Sequence, residues 1–439
     1  MILYKGEVYS NDKQTELISS LKKDMFFTLQ NGESLSYMSV IEACDKLYHR
    51  VMNHEFDNVA LPILDALNMP YEALERYAKC FSKDGLLKKI DIELGELKNG
   101  VLSLDENNIR YYEPLGILFH IAAGNVDLLP AYSVVEGLLV GNINILKLPT
   151  GDNGLSILLL KELIKEAPIL KDYIYVFDVP SVEIETIKTL SDMADATIVW
   201  GGDKAQKSAR EFVDIHSSII SWGHKISFSY IDNNVSDEEL KALCESICLS
   251  NQLFCSSSQG IYVNTDKKED LHNLAKRLLP ILVNVSKELG TLPMTMKAKN
   301  TLQLYNEKLE GNGDNIYSDG GVSIIVKDDN KLELSFLYQN IWIKALKEDE
   351  IIDVLKPNKN LLQTVSICRN LANRAGICRL LAKSGVTRIV NLGDNSRMLP
   401  GESHDGEYAL RRYIRIVEIG ELTRQLNYQA SEGMNNNTH

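Results

Sequence analysis

Asn251-Gln252-Leu253-Phe254-Cys255-Ser256-Ser257-Ser258-Gln259 sets one thiol in a run of hydrogen-bonding neighbours, after a predicted helix and before a predicted strand. A cysteine so placed serves chemistry better than packing, because a thiolate needs a polar, accessible setting to act as a nucleophile. Cys44, Cys80, Cys244, Cys248, Cys368 and Cys378 instead lie in apolar patterns and read as inert packing thiols. Cys244 and Cys248 stand one helical turn apart, but no second pair or neighbouring His completes a metal site, and no metal is expected. Upstream, Gly116-Ile117-Leu118-Phe119-His120-Ile121-Ala122-Ala123-Gly124-Asn125 leads into Gly141-Asn142-Ile143-Asn144-Ile145-Leu146-Lys147. Together the stretches point to a thiol nucleophile working beside a nucleotide cofactor.

The elements that must hold these residues alternate in type. Residues 1–95 read as a helical N-terminal region, with helical spacing around Val40–Val51 and Tyr71–Phe81. Residues 96–250 read as a nucleotide cofactor-binding domain. Its strands are Ile143–Leu148, Tyr173–Val179, Ala196–Trp200, Ser218–Trp222 and Ile226–Ile231. Its helices are Leu155–Glu166 and Asp203–Val213, with Ser181 as the expected cap of another. Ser236 starts a helix that runs to about Leu249. Residues 251–400 read as a catalytic domain around Cys255, with strands at Gly260–Val263, Val322–Val326, Ile341–Ala345, Gln363–Ile367 and Thr387–Asn391. Its helices are Asp270–Leu289 and Asn370–Lys383, and Glu310–Asp319 reads as a loop. A C-terminal return segment, 401–430, and a disordered polar tail, 431–439, complete the chain.

Strands alternating with helices of this length predict an α/β fold of two open, mostly parallel sheets. Such sheets bind ligands at the carboxyl ends of their strands, where Lys147, Asp178 and Gly201-Gly202 fall. The common Gly-x-Gly-x-x-Gly fingerprint is missing, so Gly201-Gly202 ahead of a helix is the remaining phosphate-type signal.

Composition excludes several classes. A chain of 439 residues is long for one core, and 44% hydrophobic with 24% charged residues is globular. A net charge of -13 argues against nucleic acid or an anionic membrane as the main partner. The apolar region Leu115–Leu148 is broken by Asn125, Asp127, Pro130, Glu136 and Asn142, so no membrane span is expected. Seven cysteines and no signal-peptide pattern at the N-terminus fit a cytoplasmic protein. Against the acidic background, Lys356–Arg388 carries Lys356, Lys359, Arg369, Arg374, Arg379, Lys383 and Arg388 and no acid. Arg374 and Arg379 are the candidates for attracting the phosphates of coenzyme A.

The chain resembles the LuxC-type fatty acyl-CoA reductases, the bacterial-luminescence family within the aldehyde dehydrogenase superfamily. The resemblance is carried by Tyr112–Ile261, above all Asn251–Gln259, and by Val386-Thr387-Arg388 and His404-Asp405-Gly406. It implies an aldehyde-dehydrogenase-like fold, an oligomer of identical subunits and reduction of a fatty acyl-CoA to the aldehyde through an acyl-cysteine. By the same resemblance Cys255 is the nucleophile and the Asn125 amide helps form the oxyanion hole. Ala123 and Gly124 are then placed at the cofactor, Lys147 at its adenosine ribose and Gly201-Gly202 beside its pyrophosphate. An acyl-transfer or acyl-protein synthetase partner is implied too.

Two departures from the superfamily carry meaning. Its Glu-Leu-Gly-Gly-Lys run appears as Ser221-Trp222-Gly223-His224-Lys225, so the base that hydrolyses a thioester is missing. Its Glu-x-Phe-Gly-Pro run is not recognisable near Tyr338–Ile341, which leaves the nicotinamide-ribose contact unassigned. Thr150 stands where NAD-selective members carry a ribose-binding glutamate, three residues after the lysine. A hydroxyl there can donate a hydrogen bond to a 2′-phosphate that a carboxylate would repel, so the expected cofactor is NADPH. The alternatives are a reductase of acyl phosphates or short acyl-CoAs, and a scaffold subunit without activity.

Overall fold

A computed structural model describes residues 1–66, 71–105, 108–122, 128–289, 292–397 and 399–420. The chain divides into two compact units, Met1–Gly223 with Leu399–His439, and His224–Met398. The helical N-terminal region is thus part of the first unit. Residues 224–250, grouped by sequence with the cofactor half, belong to the second.

The first unit begins with a hairpin of β1 (Ile2–Tyr4) and β2 (Glu7–Tyr9). Helices follow at Gln14–Asn31, Tyr37–Met52 and Lys83–Leu94. Next come β3 (Leu102–Ser103), β4 (Ile109–Pro114), β5 (Ile117–Ile121), β6 (Ile143–Lys147), β7 (Ile174–Phe177), β8 (Ala196–Trp200) and β9 (Ser218–Trp222). Seven strands form one sheet in the order β2-β1-β7-β6-β5-β8-β9. Strands β5 to β9 run parallel, with helices Leu129–Leu139, Leu155–Glu166, Ile184–Ser191 and Asp203–Phe212 between them. The inner strands, buried on both faces, read as nearly unbroken apolar runs: all of Ala196–Trp200 and of Ile174–Phe177 is buried, while the edge strand β9 is partly exposed. The strand order turns back at β5, because β6 and β7 lie on one side and β8 and β9 on the other. A doubly wound sheet takes its ligand in the crevice at that reversal.

The second unit holds β10 (Ile226–Ile231), β11 (Ser258–Val263), β12 (Ile316–Asp319), β13 (Val322–Val326), β14 (Asn340–Ala345), β15 (Leu362–Ile367) and β16 (Arg388–Asn391). Their order is β12-β13-β14-β11-β10-β15-β16. β10 pairs in parallel with both β11 and β15, which is why residues 224–250 go with this unit. Ile316–Asp319, expected as loop, is the antiparallel partner of β13, turned through Gly320 and Gly321 at φ 60 and 96. That backbone suits glycine, and a Gly-Gly pair makes a tight hairpin.

Back in the first unit, β17 (Ile414–Ile419) pairs antiparallel with β4, and β4 with β3, in a separate three-stranded sheet. The C-terminal return thus adds a strand to the amino-terminal half of the chain. Among the described residues no helix is long and apolar enough to cross a membrane. The tail 431–439 lies outside the described residues.

Candidate active site

Cys255 stands on the turn between the helix Asp237–Ser250 and β11. That helix starts with a capping box, Ser236 Oγ accepting from Glu239 N at 3.2 Å and Glu239 Oε2 from Ser236 N at 3.3 Å. It ends where Asn251 and Gln252 turn left-handed, at φ 46 and 62. Leu253 N then bonds Ser250 O at 3.0 Å and Ser257 N bonds Phe254 O at 2.9 Å, closing the turn around the cysteine. Two side chains hold its backbone from outside. Ser227 Oγ donates to Cys255 O at 2.5 Å, and Asn395 Nδ2 donates to Ser256 O at 3.3 Å.

Cys255 is half-buried, whereas Cys44, Cys244, Cys248 and Cys368 are buried. Burial pushes those four thiols up, Cys248 to about 12 and Cys368 to about 11. They stay protonated at neutral pH and cannot serve as nucleophiles. Cys80 and Cys378 are half-buried, so partial exposure is shared by three of the seven. Cys255 differs from those two in its polar, hydrogen-bonded turn.

The site has a feature that sequence reasoning missed: three buried glutamines, Gln252, Gln259 and Gln339, bracket the turn. Gln252 Nε2 lies 2.9 Å from Asn340 O, 3.1 Å from Ser258 O and 3.1 Å from Ser335 Oγ, while Gln252 Oε1 accepts from Gln339 N at 3.0 Å. Gln259 Nε2 donates to Gln252 O at 3.1 Å, and Gln259 Oε1 accepts from Ser335 Oγ at 2.8 Å. Gln339 Oε1 accepts from Ser286 Oγ at 2.6 Å. Gln252 and Gln259 stand in the same polar run as the cysteine, but Gln339 is distant in sequence. Only the pairing of β11 with β14 brings it there.

Of the expected cofactor residues of the first unit, Lys147, Gly201 and Gly202 stand at the carboxyl ends of its strands. Lys147 ends β6 and is 3% exposed; its Nζ donates to Leu148 O at 2.9 Å and Ser181 Oγ at 3.3 Å. Ser181 is therefore a lysine ligand, while the helix after it starts at Ile184 and is preceded by Glu183. Burial lowers the Lys147 pKa, and nearby Asp178 opposes that shift. Two of three ammonium hydrogens are thus accounted for among the described residues, and the third suits a ribose hydroxyl or a phosphate. Thr150 is exposed in the turn that follows.

Gly201 leaves β8 at φ 155, where an added Cβ would stand 3.0 Å from Ala205 Cβ. A Cβ on Gly202 would meet nothing within 4 Å, so the backbone there opens onto free space at the start of the helix Asp203–Phe212. Gln206 Nε2 fastens the loop, bonding Val199 O at 2.9 Å and Gly201 O at 3.1 Å. Backbone that bare, ahead of a helix, admits a pyrophosphate. Beside it Trp200 and Trp222 stack at 5.5 Å, and His404 meets both edge-on at 5.0 and 4.9 Å. Ser221 is exposed on β9. Ala123, Gly124 and Asn125 lie outside the described residues.

The two arginines expected at coenzyme A differ. Arg374 is committed internally: Nη1 donates to Cys368 O at 3.0 Å and Nη2 to Asn391 Oδ1 at 2.9 Å. Arg379 is exposed on the helix Arg374–Ser384. Among the described residues no group of three His, Cys, Asp or Glu side chains could hold a metal.

Two doubly wound units, one with a bare glycine loop and a buried lysine at its strand ends, the other with a thiol on a fixed turn, form the fold of the aldehyde dehydrogenases. An aldehyde dehydrogenase of Physcomitrella patens, solved with succinate, superposes with a TM-score of 0.70 at 14% identity, covering 95% of this chain and 92% of that one. The glyceraldehyde-3-phosphate dehydrogenase GapN of Methanocaldococcus jannaschii, solved with NADP, gives 0.67 at 15% identity over 94% and 95%. Within that fold the chain belongs to the LuxC family, described as acyl-CoA reductase, which it matches over residues 34–416. The long-chain acyl-protein thioester reductase of Aliivibrio fischeri is 28% identical over 311 residues, 70% of this chain and 64% of that protein's length. That of Vibrio harveyi is 26% identical over 351 residues, 76% of this chain and 71% of the relative.

Proposed function

We infer that the chain reduces a fatty acyl thioester, with acyl-CoA as the donor, to the free aldehyde at the expense of NADPH. The observation that carries the reading is the Cys255 turn, fixed by Ser227 of β10 and by Asn395 from the turn after β16, in a chain of the LuxC family. Cys255 thiolate attacks the thioester carbonyl, and Asn125 with the Cys255 backbone N–H stabilises the oxyanion. As the tetrahedral adduct collapses, the carbon–sulfur bond to coenzyme A breaks and its thiolate leaves, needing little acid. The acyl group is then held on Cys255.

Ala123, Gly124, Lys147, Thr150, Gly201 and Gly202 would hold the nicotinamide cofactor, which supplies the hydride that turns the acyl group into aldehyde. Ser221 offers no carboxylate to activate water, so the acyl-cysteine survives until it is reduced. Arg379, and less directly Arg374, adds positive potential for the phosphates of coenzyme A. The names of the relatives favour a second donor: an acyl group carried on a partner protein such as an acyl-protein synthetase. A homo-oligomer, a cytoplasmic location and the assignment of cofactor and thiol to different halves belong to the same proposal.

Radiolabelled acyl-CoA should leave a hydroxylamine-labile label on the wild-type protein and none on Cys255→Ala, which should also lose aldehyde formation. Turnover in that variant would overturn the reading.

A further inference from the structure

Gln252 is 1% exposed yet holds a left-handed backbone at φ 62, a conformation that costs a residue with a long side chain. Its predecessor Asn251 shares it, and across the sheet Leu337, Tyr338 and Gln339 form a run of three at φ 62, 50 and 69. None of the five is a glycine. The two strained stretches are bonded to each other: Tyr338 N donates to Asn251 O at 3.0 Å, Gln339 N to Gln252 Oε1 at 3.0 Å, and Gln339 Nε2 to Asn251 Oδ1 at 3.3 Å. Asn300 Nδ2 and Asn340 Nδ2 brace the run further through Tyr338 O and Leu337 O. Strained backbone persists only where its surroundings over-determine it, and it gathers where geometry matters for function.

We propose that Gln252 is a positioning residue for Cys255, its buried carboxamide acting as the pin of a strained clasp that sets where the thiol and its backbone N–H stand. The carboxamide reaches three separate pieces of chain: the start of β11 at Ser258 O, the loop before β14 at Ser335 Oγ, and the entry to β14 at Gln339 N and Asn340 O. With two N–H donors shared among three acceptors, and an oxygen that accepts from Gln339 N, a glutamine spans these pieces, whereas an apolar side chain removes every one of those contacts. Only Leu253 and Phe254 separate the pin from the nucleophile, so any relaxation of the left-handed pair moves Cys255 directly. The inference rests on the acyl-cysteine reading for its kinetic consequence but not for its geometry.

Three measurements on Gln252→Leu test it: the rate of iodoacetamide alkylation at Cys255 followed by peptide mass, the single-turnover acylation rate, and the Michaelis constants. Acylation should fall on the order of 10²-fold, the scale for misplacing a reacting group by about 1 Å, with Michaelis constants for thioester and cofactor changed less than about twofold. Alkylation at Cys255 should change as well, and that readout needs no knowledge of the substrate. It therefore stands even if Cys255→Ala proves active and the functional reading fails.

Gln252→Glu keeps the acceptor but donates nothing while ionised. Its activity relative to wild type should rise as pH falls and the buried carboxyl takes up a proton. Ser335→Ala, a small change that removes one partner of Gln252 and one of Gln259, should show a milder loss in the same rate, and it serves if Gln252→Leu does not fold. Acylation and alkylation rates within about twofold of wild type in Gln252→Leu, or in Ser335→Ala should the first not fold, would overturn the proposal.

Discussion

At the scale of single residues, two side chains make opposite use of burial. Lys147 is buried but kept within reach of Asp178 and of two acceptors, so its lowered pKa reflects a charge retained at some cost. With Thr150 at the turn that follows, a 2′-phosphate would meet a cation and a hydroxyl. Thr150→Glu should therefore shift the ratio of catalytic efficiencies toward NADH; a wild-type preference for NADH would remove the argument. His120 is fully buried, its ring nitrogens 2.7 Å from Ser133 Oγ and 3.0 Å from Asn144 Oδ1. Burial pushes its pKa down from the ordinary 6.5 to about 4. As pH falls between those values the unfolded chain takes up a proton that the folded chain refuses, so stability is lost on the acid side. The loss from this residue should approach about 3 kcal/mol near pH 4, and comparing urea midpoints of wild type and His120→Gln across that range isolates it.

At the scale of elements, buried parallel strands were legible because they are continuous apolar runs. Ala196–Trp200, Ile226–Ile231 and Val322–Val326 have the bounds that their sequence suggests, and so does the partly exposed edge strand Ser218–Trp222. Also legible was the helix before Cys255, which starts at Ser236 as expected; the capping box that Ser236 and Glu239 form there appears only in the structure. Ser236→Ala should lower stability by about 1 kcal/mol, read as a shift in urea midpoint at unchanged slope, and leave the chemistry at the far end of that helix intact.

What was not legible depends on partners distant in sequence. Ile316–Asp319 sits in a Gly- and Asn-rich stretch and becomes a strand only by pairing with β13. Ser181 looks like a helix cap but answers to Lys147. Gln252 resembles any polar loop residue until Gln339, Asn340 and Ser335 are brought beside it. Cys255 itself was visible from its neighbours; the clasp that holds it was not.

At the scale of the whole molecule, the proposed acyl-CoA donor would be a strongly anionic substrate for an acidic chain. The acid-free stretch from Lys356 to Arg388 meets that need in one place, although part of its charge is spent on structure. Arg374 fastens the end of β15 to β16, and Lys356 Nζ donates to Lys383 O at 3.0 Å. Arg379 is exposed on the same helix, so Arg379→Glu should raise the Michaelis constant for acyl-CoA and flatten its dependence on salt, with the value for NADPH unchanged. Indifference of both quantities would detach this helix from the coenzyme A path.

The chain has three tryptophans, and their placement makes it its own optical instrument. Trp200 and Trp222 stack together at the strand ends beside Gly201-Gly202, while Trp342 lies in the second unit, within 2.0 Å of where a side chain on Gly260 would begin. Reduced nicotinamide absorbs where indole emits. If the proposed cofactor assignment holds, the Trp200–Trp222 pair reports a dinucleotide arriving at the glycine loop by energy transfer, without any label. In Trp342→Phe the emission comes from the first unit alone. Emission from Trp342, with Trp200 and Trp222 replaced by Phe, reports on β14, which carries one partner of the Gln252 carboxamide. Cofactor loading and the state of the clasp can then be followed as separate signals in the intact protein.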